Sequence, residues 1–117
     1  MPRSQVSQGL KEGKDVILKV DVQGADTVRK LATEALFIFM IPGSFDELRD
    51  RLTQRMTERP SEIDLRLGIA WSELRRVAEY DYRVINRDEQ LDQAIAEIDA
   101  IVTAEKCRVG PRKVDFL

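Results

Sequence analysis

Residues 15–22 read DVILKVDV, and residues 35–41 read ALFIFMI. Both runs are apolar and rich in β-branched or aromatic side chains, a composition typical of strands that are buried on both faces. Residues 82–86 (YRVIN) predict another strand. Helical patterns separate the runs, and buried strands that alternate with helices form parallel sheets. The sequence therefore predicts an α/β fold, a doubly wound parallel sheet of about three strands with flanking helices.

Apolar residues at helical spacing predict the helices between and around these strands. The predicted helices cover 4–12, 25–31, 45–56, 61–79 and a final segment that ends near 106. Ser44 and Glu47 form a capping box ahead of the third helix, and Asn86 or Asp88 caps the last one. The predicted buried face of the last helix consists of Leu91, Ile95, Ile98 and Val102.

The length and composition predict one soluble domain. The 117 residues are 43% apolar and 34% charged, which is ordinary for a globular protein. We assign the domain to 1–108 and expect 109–117, which has no periodicity, to be a loose tail. The net charge of −2 argues against a nucleic-acid partner. No apolar run is long enough to span a membrane, and we expect no signal peptide.

The residue inventory restricts the chemistry. The sequence contains no histidine, which excludes Ser-His and Cys-His nucleophile pairs and histidine-ligated metal sites. Its single cysteine, Cys107, cannot form an internal disulfide, which fits the reducing cytoplasm. Any reaction must therefore use carboxylates, arginines, lysines and backbone dipoles.

Ligands of open α/β sheets bind outside the carboxyl ends of the strands. Asp21 stands at such an end, just before the predicted turn at Gln23-Gly24. Its carboxylate can face a cation or a ligand N–H group there. It can equally cap the helix that follows, because negative charge is favourable at a helix N-terminus. Position alone leaves both alternatives open.

Arginines flank the predicted break at 57–60, at positions 51, 55, 59 and 66. Arg51 and Arg55 are four residues apart and share a helix face. Guanidinium groups that converge from two helices suit a polyphosphate, because their paired donors match phosphate oxygens. The alternative is a solvated face with Glu47–Arg51 and Glu62–Arg66 pairs, and position alone favours it.

Several ordered motifs resemble the guanylate kinase family. Residues 13–25 (GKDVILKVDVQGA) with 28–30 (VRK) resemble the family's D-V-Q-G-A segment. Residues 80–86 (YDYRVIN) are similar to its EYDYVVVN motif. Residues 37–48 are similar to the family's FIFIxPPSxEEL, and Arg51, Arg55 and Arg66 match its lid and the following helix. The resemblance runs from Pro2 to about Arg108.

The resemblance implies a P-loop NTPase-like fold and Mg²⁺-dependent phosphoryl transfer from ATP to GMP. Such catalysis consists mostly of positioning and charge neutralisation and needs no histidine. Asp21 is implied on the GMP and Mg²⁺ side. Arg51 and Arg55 are implied at the ATP phosphates, Arg66 at the transferring phosphoryl group, and Asn86 at the adenosine end, with a lid at about 54–60.

Some features of the family pattern are missing from these residues. The phosphate loop GxSGxGK[ST] and the subdomain that reads guanine do not occur. Lys19 replaces an acidic residue, and 54–57 (QRMT) lacks the lid glycines. We therefore expect a truncated guanylate kinase that is inactive in isolation. A non-catalytic interaction module and one half of a complementing split enzyme are the alternatives.

A folding expectation follows from the same resemblance. The family's P-loop strand lies between the strands predicted here at 15–22 and 35–41. Without it, those two strands should pair directly, recruit an edge from a second copy, or leave the domain loosely packed, because unpaired backbone groups are costly.

Overall fold

The computed structural model describes residues 3–55, 59–110 and 112–116. In chain order the elements are α1 (Arg3–Lys11), α2 (Val22–Leu31), β1 (Ala32–Thr33), β2 (Ile38–Pro42), α3 (Phe45–Arg55), α4 (Pro60–Leu74), a 3₁₀ turn (Arg75–Glu79), β3 (Tyr82–Asn86), α5 (Leu91–Lys106) and β4 (Asp115–Phe116). The chain divides into two compact units. The first contains 1–36 and 105–117, and the second contains 37–104.

In the first unit, the core is small and consists of aliphatic side chains. The buried residues are Val6, Val22, Ala25, Val28 and Ala32. β1 and β4 pair antiparallel, with Ala32 opposite Phe116. Apolar burial on α2 follows helical spacing, so one face of α2, together with Val6 of α1, supplies the described core of this unit.

A Schellman-type turn ends α1. The Gly13 N–H donates to the Leu10 carbonyl at 3.1 Å and the Lys14 N–H donates to the Gly9 carbonyl at 3.0 Å. Gly13 has φ 76°, the left-handed conformation that this motif requires. Nearby, hydrogen bonds from Gln8 and, secondarily, Lys14 lower the pKa of Glu12. The predicted end of the first helix is thus confirmed.

The strand predicted over 15–22 is wrong. Residues 14–21 form no strand, and Val22 already belongs to α2. Ile17 is 84% exposed and Val20 is 44% exposed, whereas the apolar run predicted burial. A strand needs a neighbour for its backbone donors and acceptors, and none of the described strands pairs with this segment. Direct pairing with 35–41, one of the expected outcomes, is therefore absent from the described residues.

In the second unit, a parallel pair of strands forms the centre. β2 pairs with β3 in register from Ile38 opposite Tyr82 to Pro42 opposite Asn86. Val84 in β3 is only 1% exposed, and the Tyr80 ring packs edge-on against Phe39 at a centroid distance of 4.8 Å. The α/β class and the incomplete parallel sheet are confirmed, with two parallel strands in the described residues rather than about three.

The helix predicted over 61–79 is confirmed as α4, which buries Ile63 and Leu67, followed by the 3₁₀ turn. α5 buries a different position from those predicted. Ala94 is its buried residue, while Leu91 and Ile95 are 56% and 54% exposed. The small side chain of Ala94 thus faces the interior. The larger apolar side chains of Leu91 and Ile95 are not fully covered by other described residues.

Residues 109–117 include β4, although the sequence predicted no regular structure there. Arg112 contributes to this arrangement because its Nε donates to the Glu105 carboxylate at 3.2 Å. The Lys113 N–H donates to the Glu34 carboxylate at 2.9 Å. Local periodicity cannot reveal these contacts, because Lys113 and Glu34 are far apart in the chain.

Substitutions at two glycines with equally open surroundings show how backbone conformation, apart from packing, affects stability. A Cβ at Gly68 or at Gly13 would meet no atom within 4 Å, but Gly13 has φ 76° while Gly68 lies in α4. Gly68→Ala should raise the free energy of unfolding by about 0.8–1.0 kcal/mol, because alanine has the higher helix propensity. Gly13→Ala should lower it by about 1–2 kcal/mol. Urea denaturation of both variants measures the difference, and equal effects would contradict this account.

Candidate functional site

Asp21 acts as the N-cap of α2. Its Oδ1 accepts a hydrogen bond from the Gly24 N–H at 2.8 Å, and its own backbone is extended. A Cβ on Gly24 would lie 2.8 Å from the Val20 Cβ, so glycine allows the close approach that this cap requires. Of the two alternatives for Asp21, the structure therefore displays the capping one.

Asp21 also borders an open depression of about 300 Å³ within the first unit, lined by Val20, Gly24 and Thr27 as well. Asp21 is exposed as a residue, and its cap uses one of the two carboxylate oxygens. A ligand role for Asp21 stays a prediction.

In the second unit, Arg51 and Asn86 come together. Arg51 lies on α3, and its Nη2 donates to the backbone carbonyl of Asn86 at 2.8 Å. Its Nε donates to the Asp88 Oδ1 at 2.7 Å. The Arg51 side chain is 27% exposed and that of Asp88 is 47% exposed. Two residues that the family resemblance implies on the ATP side are therefore joined by a hydrogen bond.

The sequence did not reveal Asp88 as the partner of Arg51. It suggested Glu47 for that role, four residues away on the same helix. Glu47 instead accepts no hydrogen bond at its buried Oε2 in the described residues, while its backbone N–H donates to the Ser44 Oγ at 3.0 Å. The usable signal was the position of Asp88 just after β3, at the ligand-facing edge of a parallel sheet.

The structure describes the other predicted site arginines, Arg55 and Arg66, in less detail. Arg66 is exposed on α4, directly before the buried Leu67. Arg49 on α3 and Asp64 on α4 form an ion pair at 3.4 Å, which links these helices. Arg55 ends α3, but its side chain and residues 56–58 of the predicted lid lie outside the described residues. Asp21 belongs to the first unit, whereas Arg51, Arg66 and Asn86 belong to the second.

Comparison with known proteins decides the family. The family model for guanylate kinase matches residues 2–105. This chain belongs to the guanylate kinase family. It is 46% identical over 116 residues to the guanylate kinase of Caldanaerobacter subterraneus and 41% identical over 116 residues to that of Clostridium perfringens, and both alignments cover 99% of this chain. The guanylate kinase of Desulfitobacterium hafniense is 42% identical over 115 residues and 98% of the chain.

These alignments cover only part of each guanylate kinase relative. The shares are 55%, 53% and 56% of the three relatives named above. The chain therefore spans about half the length of the curated relatives that it matches, and it corresponds to a carboxy-terminal portion of them. The family assignment also places the fold in the P-loop NTPase class, in agreement with the parallel pairing of β2 and β3.

Guanylate kinases use Mg²⁺ with ATP, so the residues can be tested for a metal site. Within the described ranges, no three His, Cys, Asp or Glu side chains are grouped closely enough to hold a metal ion. Asp21 already uses Oδ1 for its cap, and the nearby Lys19 carries a positive charge. The described residues thus do not build a Mg²⁺ site by themselves.

Among residues 3–55, 59–110 and 112–116, no helix combines the length and the hydropathy that a bilayer crossing requires.

Proposed function

We propose that this chain is the carboxy-terminal part of a cytoplasmic guanylate kinase, which transfers a phosphoryl group from ATP to GMP. The observation that carries the proposal is the match of 99% of the chain to about half of each relative. In this assignment the P-loop and the guanine-reading subdomain are supplied by residues outside these 117, and the present residues supply the arginines and the adenosine edge.

The second unit contributes charge and position to the reaction. A transferring phosphoryl group spreads negative charge over its oxygens, and guanidinium groups stabilise that charge through paired N–H donors. Arg51, Arg55 and Arg66 would supply these donors to the ATP phosphates and to the transferring group. Asn86, next to Arg51, would lie against the adenosine. The Arg51–Asn86 contact supports this placement because it joins the phosphate end and the base end of one nucleotide site.

For Asp21, the family resemblance implies a place on the GMP side. Asp21 would face GMP with its exposed carboxylate. The positive charge of Lys19, two residues earlier, disfavours a Mg²⁺ ion at this position. Lys19 also favours the alternative of a non-catalytic interaction module that keeps the fold.

A coupled ADP-release assay with ATP, GMP and Mg²⁺ tests the proposal. We expect no measurable turnover from the 117-residue chain, because loss of one transition-state contact already costs about 2.7–4 kcal/mol. We expect turnover when the chain is joined covalently to the amino-terminal portion of the Caldanaerobacter subterraneus guanylate kinase. The same portion with its P-loop lysine replaced by alanine is the control.

Each result of this assay has a definite reading. Ordinary turnover by the chain alone contradicts the need for a second portion. A joined protein that is folded by circular dichroism but inactive supports the interaction module. Activity on mixing two separate portions supports the complementing split enzyme.

A further inference from the structure

The Arg51 side chain of α3 makes two hydrogen bonds to the end of β3 and the turn that leads to α5. It binds the Asn86 carbonyl and the Asp88 carboxylate. Within the turn, the Gln90 N–H donates to the Arg87 carbonyl at 3.2 Å. Glu89, next to Asp88, adopts φ 61°, a left-handed conformation that non-glycine residues rarely take.

The two hydrogen bonds of Arg51 use one edge of its guanidinium group. Nε and Nη2 both donate along that edge, to Asp88 at 2.7 Å and to the Asn86 carbonyl at 2.8 Å. The remaining N–H groups lie at the far end of the fork, on Nη1 and Nη2. Arginine is suited to such double use because its donors are fixed in one plane. Asp88 therefore orients the far end of the fork without occupying it.

We propose that Asp88 is a positioning residue that holds Arg51 with the outer end of its guanidinium ready for a nucleotide phosphate. This rests on the proposed function, because it deepens the role of Arg51 there. Long side chains lose rotamer freedom when they bind, and prior immobilisation removes part of that cost. The opposite arrangement, in which Asp88 competes with phosphate for Arg51, predicts effects of opposite sign.

Two Asp variants of the 117-residue chain provide matched tests. Asp88→Ala removes the acceptor and one negative charge. Asp64→Ala removes the same charge from another Arg–Asp pair of the second unit, at Arg49. The comparison cancels the general gain in polyanion affinity that follows any loss of negative charge. Asp88→Asn removes the charge but keeps an oxygen acceptor for the Arg51 Nε–H.

The probe is inorganic tripolyphosphate, followed by NMR at the Arg51 Nε–H resonance. Relative to Asp64→Ala, we expect Asp88→Ala to bind tripolyphosphate about three- to tenfold more weakly, and Asp88→Asn to recover most of the loss. Without ligand, Asp88→Ala should speed amide exchange at Gln90, because the turn loses its outer tie. Asp64→Ala should leave that exchange unchanged.

Several outcomes overturn the positioning role. Equal affinities of Asp88→Ala and Asp64→Ala do so, as does tighter binding by Asp88→Ala, which shows competition. Absence of any tripolyphosphate response in the unsubstituted chain also does so, because Arg51 then offers no phosphate site. The proposed function is judged separately by turnover of the joined enzyme. An inactive joined enzyme together with the expected order of affinities leaves the positioning role standing.

Discussion

Arg66→Ala in the joined, active enzyme is expected to lower kcat by about 10²–10³-fold, the usual cost of removing one donor that stabilises transition-state charge. Arg66 lies on α4 and is exposed, and the family resemblance implies it at the transferring phosphoryl group. Arg66→Lys should recover only part of the loss, because lysine keeps the charge but not the paired donors. Steady-state kinetics at saturating ATP and GMP measure the effect, with a smaller change expected in KM.

Arg75→Ala is the matched control for this prediction. Arg75 is also an exposed arginine, directly after α4, and the family resemblance assigns it no role. We expect its kcat to stay within about twofold of the unsubstituted enzyme, since surface substitutions away from special features have small effects. Equal losses in Arg66→Ala and Arg75→Ala would show that general charge, rather than a specific donor, is responsible.

At the adjacent residue, Leu67→Ala should instead lower the free energy of unfolding strongly. Leu67 is 3% exposed, and truncation of a buried leucine to alanine costs about 2–5 kcal/mol through lost burial and the cavity left behind. Leu65, two residues earlier on the same helix, is 66% exposed. Leu65→Ala should change the free energy of unfolding by no more than about 0.5 kcal/mol.

Urea denaturation of the 117-residue chain measures both leucine variants. A shift of the midpoint without a change in slope identifies a change in stability alone. Comparable losses from Leu65→Ala and Leu67→Ala would contradict the placement of α4. Leu67→Ala is expected to lower the free energy of unfolding, and Arg66→Ala is expected to lower kcat. The two neighbouring positions therefore distinguish an effect on folding from an effect on catalysis.

The sequence predicted those elements whose neighbours are supplied by the same chain. β3 was predicted with its observed bounds, and its partner β2 is present in register. The run at 15–22 has equal apolar character but no described partner strand, so Ile17 is exposed where burial was predicted. An apolar pattern reports a tendency to be buried. It does not report whether the covering strand belongs to the same chain.

The candidate site was predictable in its residue types but not in its contacts. Arg51 and Asn86 were singled out from the family resemblance, and the structure joins them. Asp88 was missed because its bond to Arg51 spans 37 positions, well beyond the range of helical spacing rules. The roles of Asp21, Arg55 and Arg66 stay predictions, and the experiments above test the arginine and nucleotide assignments.

The extended segment at 14–21 has a consequence for handling the protein at high concentration. It presents Ile17 and Val20 to solvent without a ladder, and such β-prone stretches template stacking between chains. Lys19 interrupts this stretch, and a charge within an apolar run acts as a gatekeeper against fibrils. Lys19 is therefore expected to hinder association between the exposed 14–21 segments of separate molecules.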